Sequence, residues 1–173
     1  MRSLINAEQM REMCAVAAAT PPGDFVEVGV YQGGSAVKLA AVAADQARRL
    51  WLFDTFTGIP EQTDGVDFHK IGDFSDTSVG AVRELLPDAL IVVGDAAETL
   101  PATDTGPVAF AHLDCDQYAT YRACIVELSP RMVRGGVMWF DDYGALDGAT
   151  KAVDEMFGDR VQTHDCGKVF VRF

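Results

Sequence analysis

Acids stand at the end of nearly every strand-like apolar run in this chain. Asp54 follows LWLF (50–53), Gly94 and Asp95 follow ALIVV (89–93), Asp114, Cys115 and Asp116 follow VAFAHL (108–113), and Asp141 and Asp142 follow GVMWF (136–140). The run FVEVGV (25–30) carries Glu27 and leads into Gly33 and Gly34. Burying acids without partners is costly. Carboxylates gathered in one place also raise one another's pKa values unless a hard cation neutralises them. Mg2+ takes oxygen ligands in octahedral geometry and keeps several waters, which leaves positions open for a substrate. Such a centre could orient a hydroxyl nucleophile and lower its pKa. The plainer alternative is that Asp141 and Asp142 cap the turn that follows them.

A second motif lies at the start of the chain. VEVGVYQGGSA (26–36) places a glycine turn between a strand and a helix, where a ligand can approach the backbone at the helix N-terminus. Its spacing is Glu-x-Gly-x-x-x-Gly. A dinucleotide fingerprint needs G-x-G-x-x-G, and Tyr31 stands at the middle glycine, which disfavours pyrophosphate recognition. Asp54 falls where an acid commonly accepts hydrogen bonds from ribose hydroxyls, although it could equally be a turn residue before Thr55.

The elements that must position these residues follow from hydrophobic period. Helical segments at 35–49, 78–86, 96–100 and 117–128 alternate with the apolar runs; in the last, Tyr118, Tyr121, Ile125 and Leu128 recur at helical spacing. This β-α alternation predicts an α/β fold with a parallel sheet covered on both faces. A leading helix over about 6–19 has Asn6 and Gln9 as a capping signal and Met10, Met13, Cys14 and Ala17 as its apolar face. Another, marked by Ala149, Val153, Met156 and Phe157, stops at Gly158. RVQTHDC (160–166) and KVFVRF (168–173) then predict a terminal antiparallel hairpin around Gly167. We expect one domain over 1–173. The segment 57–76, which carries His69 and Lys70, has no period of either kind; a loop of that length reads as a lid or binding loop, with a plain disordered insertion as the alternative.

Bulk composition narrows the function classes. The 173 residues are 49% hydrophobic and 23% charged, an ordinary globular balance. A net charge of −12 argues against nucleic acid and anionic membranes as partners, both of which need clustered Lys and Arg. Cys14, Cys115, Cys124 and Cys166 lack metal or redox spacing and read as reduced thiols. With no signal peptide or membrane-length run, a cytoplasmic protein is expected.

The series VEVGVYQGGSA, LFDTFTGIPE, VVGDAAETLP, HLDCDQYATY, GGVMWFDDYG and GATKAVDEMF, spread over 25–157, resembles the macrocin O-methyltransferase family. That resemblance implies a Rossmann-like seven-stranded methyltransferase sheet, mostly parallel, with a C-terminal antiparallel hairpin. It implies S-adenosyl-L-methionine and Mg2+ as cofactors and methyl transfer to sugar hydroxyls. Glu27, Gly29, Gly33 and Ser35 would face the methionine part of the cofactor, and Asp54, with Thr55 and Phe56 beside it, the ribose. Gly94, Asp95 and Ala96 would line the adenine pocket. Asp114, which also borders the cofactor, would hold the metal with Asp141 and Asp142. Asp116 matches the second acid of the family's D-x-D, as ligand, base or cap; His69 is the other candidate base.

Members of that family are usually longer, so substrate identity does not carry over. The expected partner is a small hydroxyl-bearing acceptor, a sugar or a vicinal, catechol-like diol, and homo-oligomers are compatible with the sequence. Competing readings are a metal-independent N- or C-methyltransferase, a dinucleotide oxidoreductase and a non-catalytic cofactor-binding module. His112, inside an apolar run, reads as a hydrogen-bonded core histidine and His164 as a surface residue; Tyr118, Tyr121 and Trp139 read as core, and Tyr143 as a possible substrate contact.

Overall fold

The computed structural model describes residues 5–173. Strands β1 (Asp24–Val28), β2 (Leu50–Asp54), β3 (Leu90–Val93), β4 (Val108–Leu113) and β5 (Met132–Phe140) are mutually parallel. Strands β6 (Gln162–Thr163) and β7 (Val169–Arg172) form the hairpin, with β7 antiparallel to β5. The sheet order is β3-β2-β1-β4-β5-β7-β6.

Among the described residues, six α-helices cover the two faces: α1 (Ala7–Ala18), α2 (Gly34–Asp45) and α3 (Val79–Leu85) on one, α4 (Ala96–Ala102), α5 (Tyr118–Leu128) and α6 (Asp147–Phe157) on the other. Because β side chains alternate, each strand feeds both cores. Phe25, Leu52, Phe110 and Trp139 pack with Met13, Ala17 and Leu39, whereas Val26, Phe53, Leu113 and Phe140 pack with Leu100, Ile125 and Val153. Each such side chain, fully buried, stabilises the fold by roughly 1.5–3 kcal/mol. α1 begins where Asn6 Oδ1 accepts from the Gln9 N–H at 2.9 Å.

Element ends depart from the sequence expectation for local reasons. α2 stops at Asp45, short of 49, because Ala47 turns left-handed (φ 53°) and the Arg48 N–H returns to the Ala43 carbonyl at 2.9 Å. β5 starts at Met132 rather than 136, pairing with β4 across a register shift near Val108 and Phe110. Among the described residues, no helix is long and apolar enough to cross a membrane, and all four cysteines are free.

Candidate active site

The sheet order makes the seam between β1 and β4 a topological switch point, with successive connections leaving it in opposite directions. Gly29 ends one strand and Asp114 the other. The Asp114 N–H donates to the Val28 carbonyl at 2.9 Å. Gly29 has φ +86°, and a Cβ on it would collide with the Asp114 carbonyl oxygen, so both backbone conformation and space require glycine there.

Above this seam opens a cleft of about 870 Å³, part of it open solvent. Gly29, Ser35, Asp54, Thr55, Gly94, Asp95, Ala96 and Asp114 line it, together with Asp116. Three other residues expected at the cofactor lie off the cleft. Phe56 is 8% exposed and packs into the core on the α2 and α3 side. Gly33 is the left-handed N-cap of α2. Glu27 is fully buried, and its Oε1 lies 2.8 Å from His112 Nδ1; Glu27 and His112 are register partners on β1 and β4.

Asp54 acts on the glycine loop. Its Oδ2 accepts the N–H groups of Val30 and Tyr31 at 2.7 and 2.8 Å, and its Oδ1 accepts that of Phe56 at 2.6 Å. Asp95 caps α4 through the Ala97 N–H at 2.9 Å.

Asp114, Asp141 and Asp142 converge, each offering a carboxylate oxygen within 4.8 Å of the others. Burial, then Asp142 and Asp141, pushes the Asp114 carboxyl well above its ordinary value. Asp142 is raised by burial and by Asp141, against the pull of the Tyr121 hydroxyl at 2.9 Å and the Asp116 N–H at 3.1 Å. Burial pushes Asp141 upward too, but His112 and Lys168 outweigh it and hold its carboxyl below the usual range. His112 Nε2 faces Asp141 Oδ1 at 3.8 Å, an ion contact rather than a hydrogen bond. Burial disfavours the imidazolium, yet Asp141 and Glu27 prevail and take His112 up to about 10. Asp116 is raised to about 8 by burial and by Asp142 and Asp141; its φ of +61° is tolerated by Asp and Asn.

The segment 57–76 crosses one side of the cleft, contributing Gly58, Ile59, Pro60 and Phe74. Its neck is closed by the Ile59 N–H on the Asp73 carbonyl at 2.9 Å and the Gly72 N–H on the Ile59 carbonyl at 3.0 Å. Asp67 Oδ1 accepts the Tyr118 N–H at 2.8 Å, capping α5 from another part of the chain. Any side chain at Gly148 would collide with that oxygen. Buried Gln117 donates to the carbonyls of Glu61 and His69 at 2.6 and 3.2 Å. These contacts bring His69 Nε2 to 3.7 Å from Asp116 Oδ1, its ring edge-on to Phe68 and Phe74.

Sequence reasoning did not bring Lys168 to this site, nor assign Tyr121, Gln117 and Asp67 their polar roles. The signal for Lys168 was the hairpin: pairing Phe140 with Val169 makes Asp141 and Lys168 neighbours. Tyr118 is half-buried at the margin of the core, its hydroxyl donating to Glu155 at 2.7 Å. His164 is half-buried against Trp139, at 5.3 Å between rings. Tyr143 donates to Asp154 at 2.9 Å.

Residues 3–169 match the model of the family described as macrocin O-methyltransferase (TylF). An 8-demethyl-8-(2,3-dimethoxy-alpha-L-rhamnosyl)-tetracenomycin-C 4'-O-methyltransferase of Streptomyces olivaceus is 35% identical over 154 residues, covering 79% of this chain and 59% of that protein. Mycinamicin III 3''-O-methyltransferase of Micromonospora griseorubida is 28% identical over 153 residues, covering 78% and 60%. The chain thus spans about three fifths of the length of these relatives. The solved O-methyltransferase NovP superposes with a TM-score of 0.85 at 22% identity, over 98% of this chain and 81% of that one. The calicheamicin methyltransferase CalS11 does so at 0.82 and 21%, over 97% and 80%. The fold is therefore that of a methyltransferase, and the chain belongs to the macrocin O-methyltransferase family.

Proposed function

We propose that this chain is an S-adenosylmethionine-dependent, Mg2+-dependent O-methyltransferase acting on a hydroxyl of a small molecule, a sugar or another vicinal diol. The observation that carries this reading is the position of Asp114: it lines the cleft beside Gly29 and is also one corner of the Asp114, Asp141 and Asp142 triad. Cofactor and cation would then meet at one residue. The residues fit both groups. The cleft combines a glycine loop with Asp54 and Asp95. Asp141 Oδ1 is a buried carboxylate oxygen that accepts no hydrogen bond and has His112 Nε2 no nearer than 3.8 Å, which leaves it open to a hard cation. The S. olivaceus relative is named for a 4'-O-methylation of a rhamnosyl compound, which supports a sugar hydroxyl as acceptor.

When bound, S-adenosylmethionine supplies an electrophilic sulfonium methyl group and Mg2+ orients an acceptor hydroxyl and lowers its pKa. Asp114, Asp141 and Asp142 would hold the cation. Asp116 is the base: its carboxylate edges the same cleft, and a carboxyl near 8 is matched to proton abstraction around neutrality. His69, 3.7 Å from Asp116, is in ion-contact range and orients that carboxylate. The segment 57–76 acts as a lid, latched by Asp67 and Gln117, that keeps water from the sulfonium. The unit is a single domain.

Calorimetric titration with S-adenosylhomocysteine, with NAD as the comparison ligand, tests the cofactor. Saturable binding of the first and none of the second is expected. No binding of S-adenosylhomocysteine would overturn the reading, and methyl transfer to diols that persists undiminished in EDTA would remove the metal from it.

A further inference from the structure

Lys168 reaches the acid triad from the hairpin. Antiparallel pairing sets Phe140 of β5 opposite Val169 of β7, so Asp141 and Lys168, the next residues outward, come together at the sheet edge. The ammonium lies 2.9 Å from Asp141 Oδ2 and 2.5 Å from the Asp141 carbonyl oxygen. The pair is nearly covered, its side chains 14% and 13% exposed. A covered ion pair is poor evidence of a stabilising role, because desolvation offsets most of the Coulomb gain. Its place beside two further carboxylates calls for another explanation.

Charge supplies one. Asp114, Asp141 and Asp142, when ionised, carry three negative charges. A divalent cation and one ammonium balance them. Within Asp141 the two oxygens are divided: Oδ2 is held by Lys168, and Oδ1 accepts no hydrogen bond, facing His112 Nε2 at 3.8 Å. Two cations sharing one carboxylate also repel each other, and in a covered site that repulsion is little screened.

We propose that Lys168 is a resident counter-cation of the metal centre: it holds Asp141 by Oδ2, leaves Oδ1 for the metal, and sets the affinity for a divalent cation below that of three unengaged carboxylates. The proposal rests on the metal reading of Asp114, Asp141 and Asp142. It accounts for how these acids are tolerated when no cation is bound, and it keeps a bound cation exchangeable. Lys168 is a positioning residue that acts through Asp141.

The test uses Mn2+ alone as probe, with free Mn2+ read by electron paramagnetic resonance on the full chain. Lys168→Met keeps the aliphatic stem and removes the charge. Its dissociation constant should fall by about tenfold or more, whereas Lys168→Arg, which keeps the charge, should stay within about threefold of the parent. General damage to the site cannot produce tighter binding. Circular dichroism checks the fold, and Lys168→Gln replaces the Met variant if that variant does not fold. Unchanged or weaker Mn2+ binding in the charge-removed variant, with the Asp141→Asn/Asp142→Asn protein failing to bind, overturns the role of Lys168 and leaves the metal reading standing. Binding by the double Asn variant equal to the parent, or no binding by any of these proteins, overturns both.

Discussion

Asp54 and the acids that follow β4 and β5 stand at the same edge of one sheet, yet they live in opposite electrostatic circumstances. Asp54 accepts three backbone N–H groups, from Val30, Tyr31 and Phe56, so the carboxylate is satisfied by the chain around it. Asp114, Asp142 and Asp116 crowd one another, and burial with mutual repulsion lifts all three carboxyls above their ordinary values. A saturated acid builds structure: it folds the glycine loop into the shape that a ligand meets. An unsaturated cluster stores a demand for positive charge, which Lys168 meets only in part. The two regions meet where Gly29 lies against the Asp114 carbonyl and the Asp114 N–H donates to the Val28 carbonyl.

The largest effect should come from removing the demand. Asp141→Asn with Asp142→Asn is expected to reduce methyl transfer to background while binding of S-adenosylhomocysteine stays close to the parent's, because neither residue lines the cofactor cleft. Parallel assays of turnover and calorimetric binding check this. Full turnover in the double variant would mean that the crowded acids are only structural, and the contrast with Asp54 would disappear.

Next comes the point of contact. Gly29→Ala combines a left-handed backbone with a collision against main chain that cannot swing aside. A loss of more than about 3 kcal/mol in stability is expected, measured by denaturant unfolding. A variant folded within 1 kcal/mol of the parent, as a rough margin, would show that the β1 and β4 ends can separate and that the two halves are not rigidly coupled.

The saturated acid should give a smaller and different signature. Asp54→Ala leaves three N–H groups without their acceptor, and charge-assisted bonds of this kind are worth about 1.5–3 kcal/mol each, with partial recovery through water. A net loss of about 2 kcal/mol, or a Tm lower by roughly 4–8 °C, is expected in the absence of any ligand. Weaker binding of S-adenosylhomocysteine accompanies it. Weakened binding with an unchanged Tm would show that Asp54 serves the ligand and not the loop.

The alternation of apolar runs and helical segments made the sheet legible, because burial on both faces writes itself into long Val, Leu and Phe runs, and their C-terminal acids stand at the edge where the cleft opens. The partners of those acids were less visible. Backbone N–H groups have no residue signature, so nothing in LFDTF announces that Asp54 is filled by Val30 and Tyr31. Glu27 reads as a cofactor residue from its motif, but side-chain direction depends on the β1 and β4 register, which sets it against His112. Lys168 is hidden for the same reason, being 27 residues from Asp141 along the chain and adjacent only through the β5 and β7 pairing.

The last predicted effect is one of pH, and it separates the two circumstances most cleanly. Asp116 has a folded-state value of about 8 against an ordinary 3.8, so the folded protein binds its proton more tightly than the unfolded chain does. Stability from this group is therefore present at low pH and is lost as pH rises through that window. Asp116→Asn resembles the protonated form and suits the left-handed backbone at φ +61°. In EDTA, its Tm should exceed the parent's by an amount that is small near the lower end of the window and grows toward its upper end, reaching at least about 2 °C. Saturating Mg2+ should shrink that gap, since a cation on Asp141 and Asp142 removes the repulsion that lifts Asp116. Turnover should fall in the same variant, because an amide cannot accept the acceptor's proton. A Tm difference that does not change with pH, measured by calorimetry in EDTA and in Mg2+, would place Asp116 with Asp54 among the acids that only build structure.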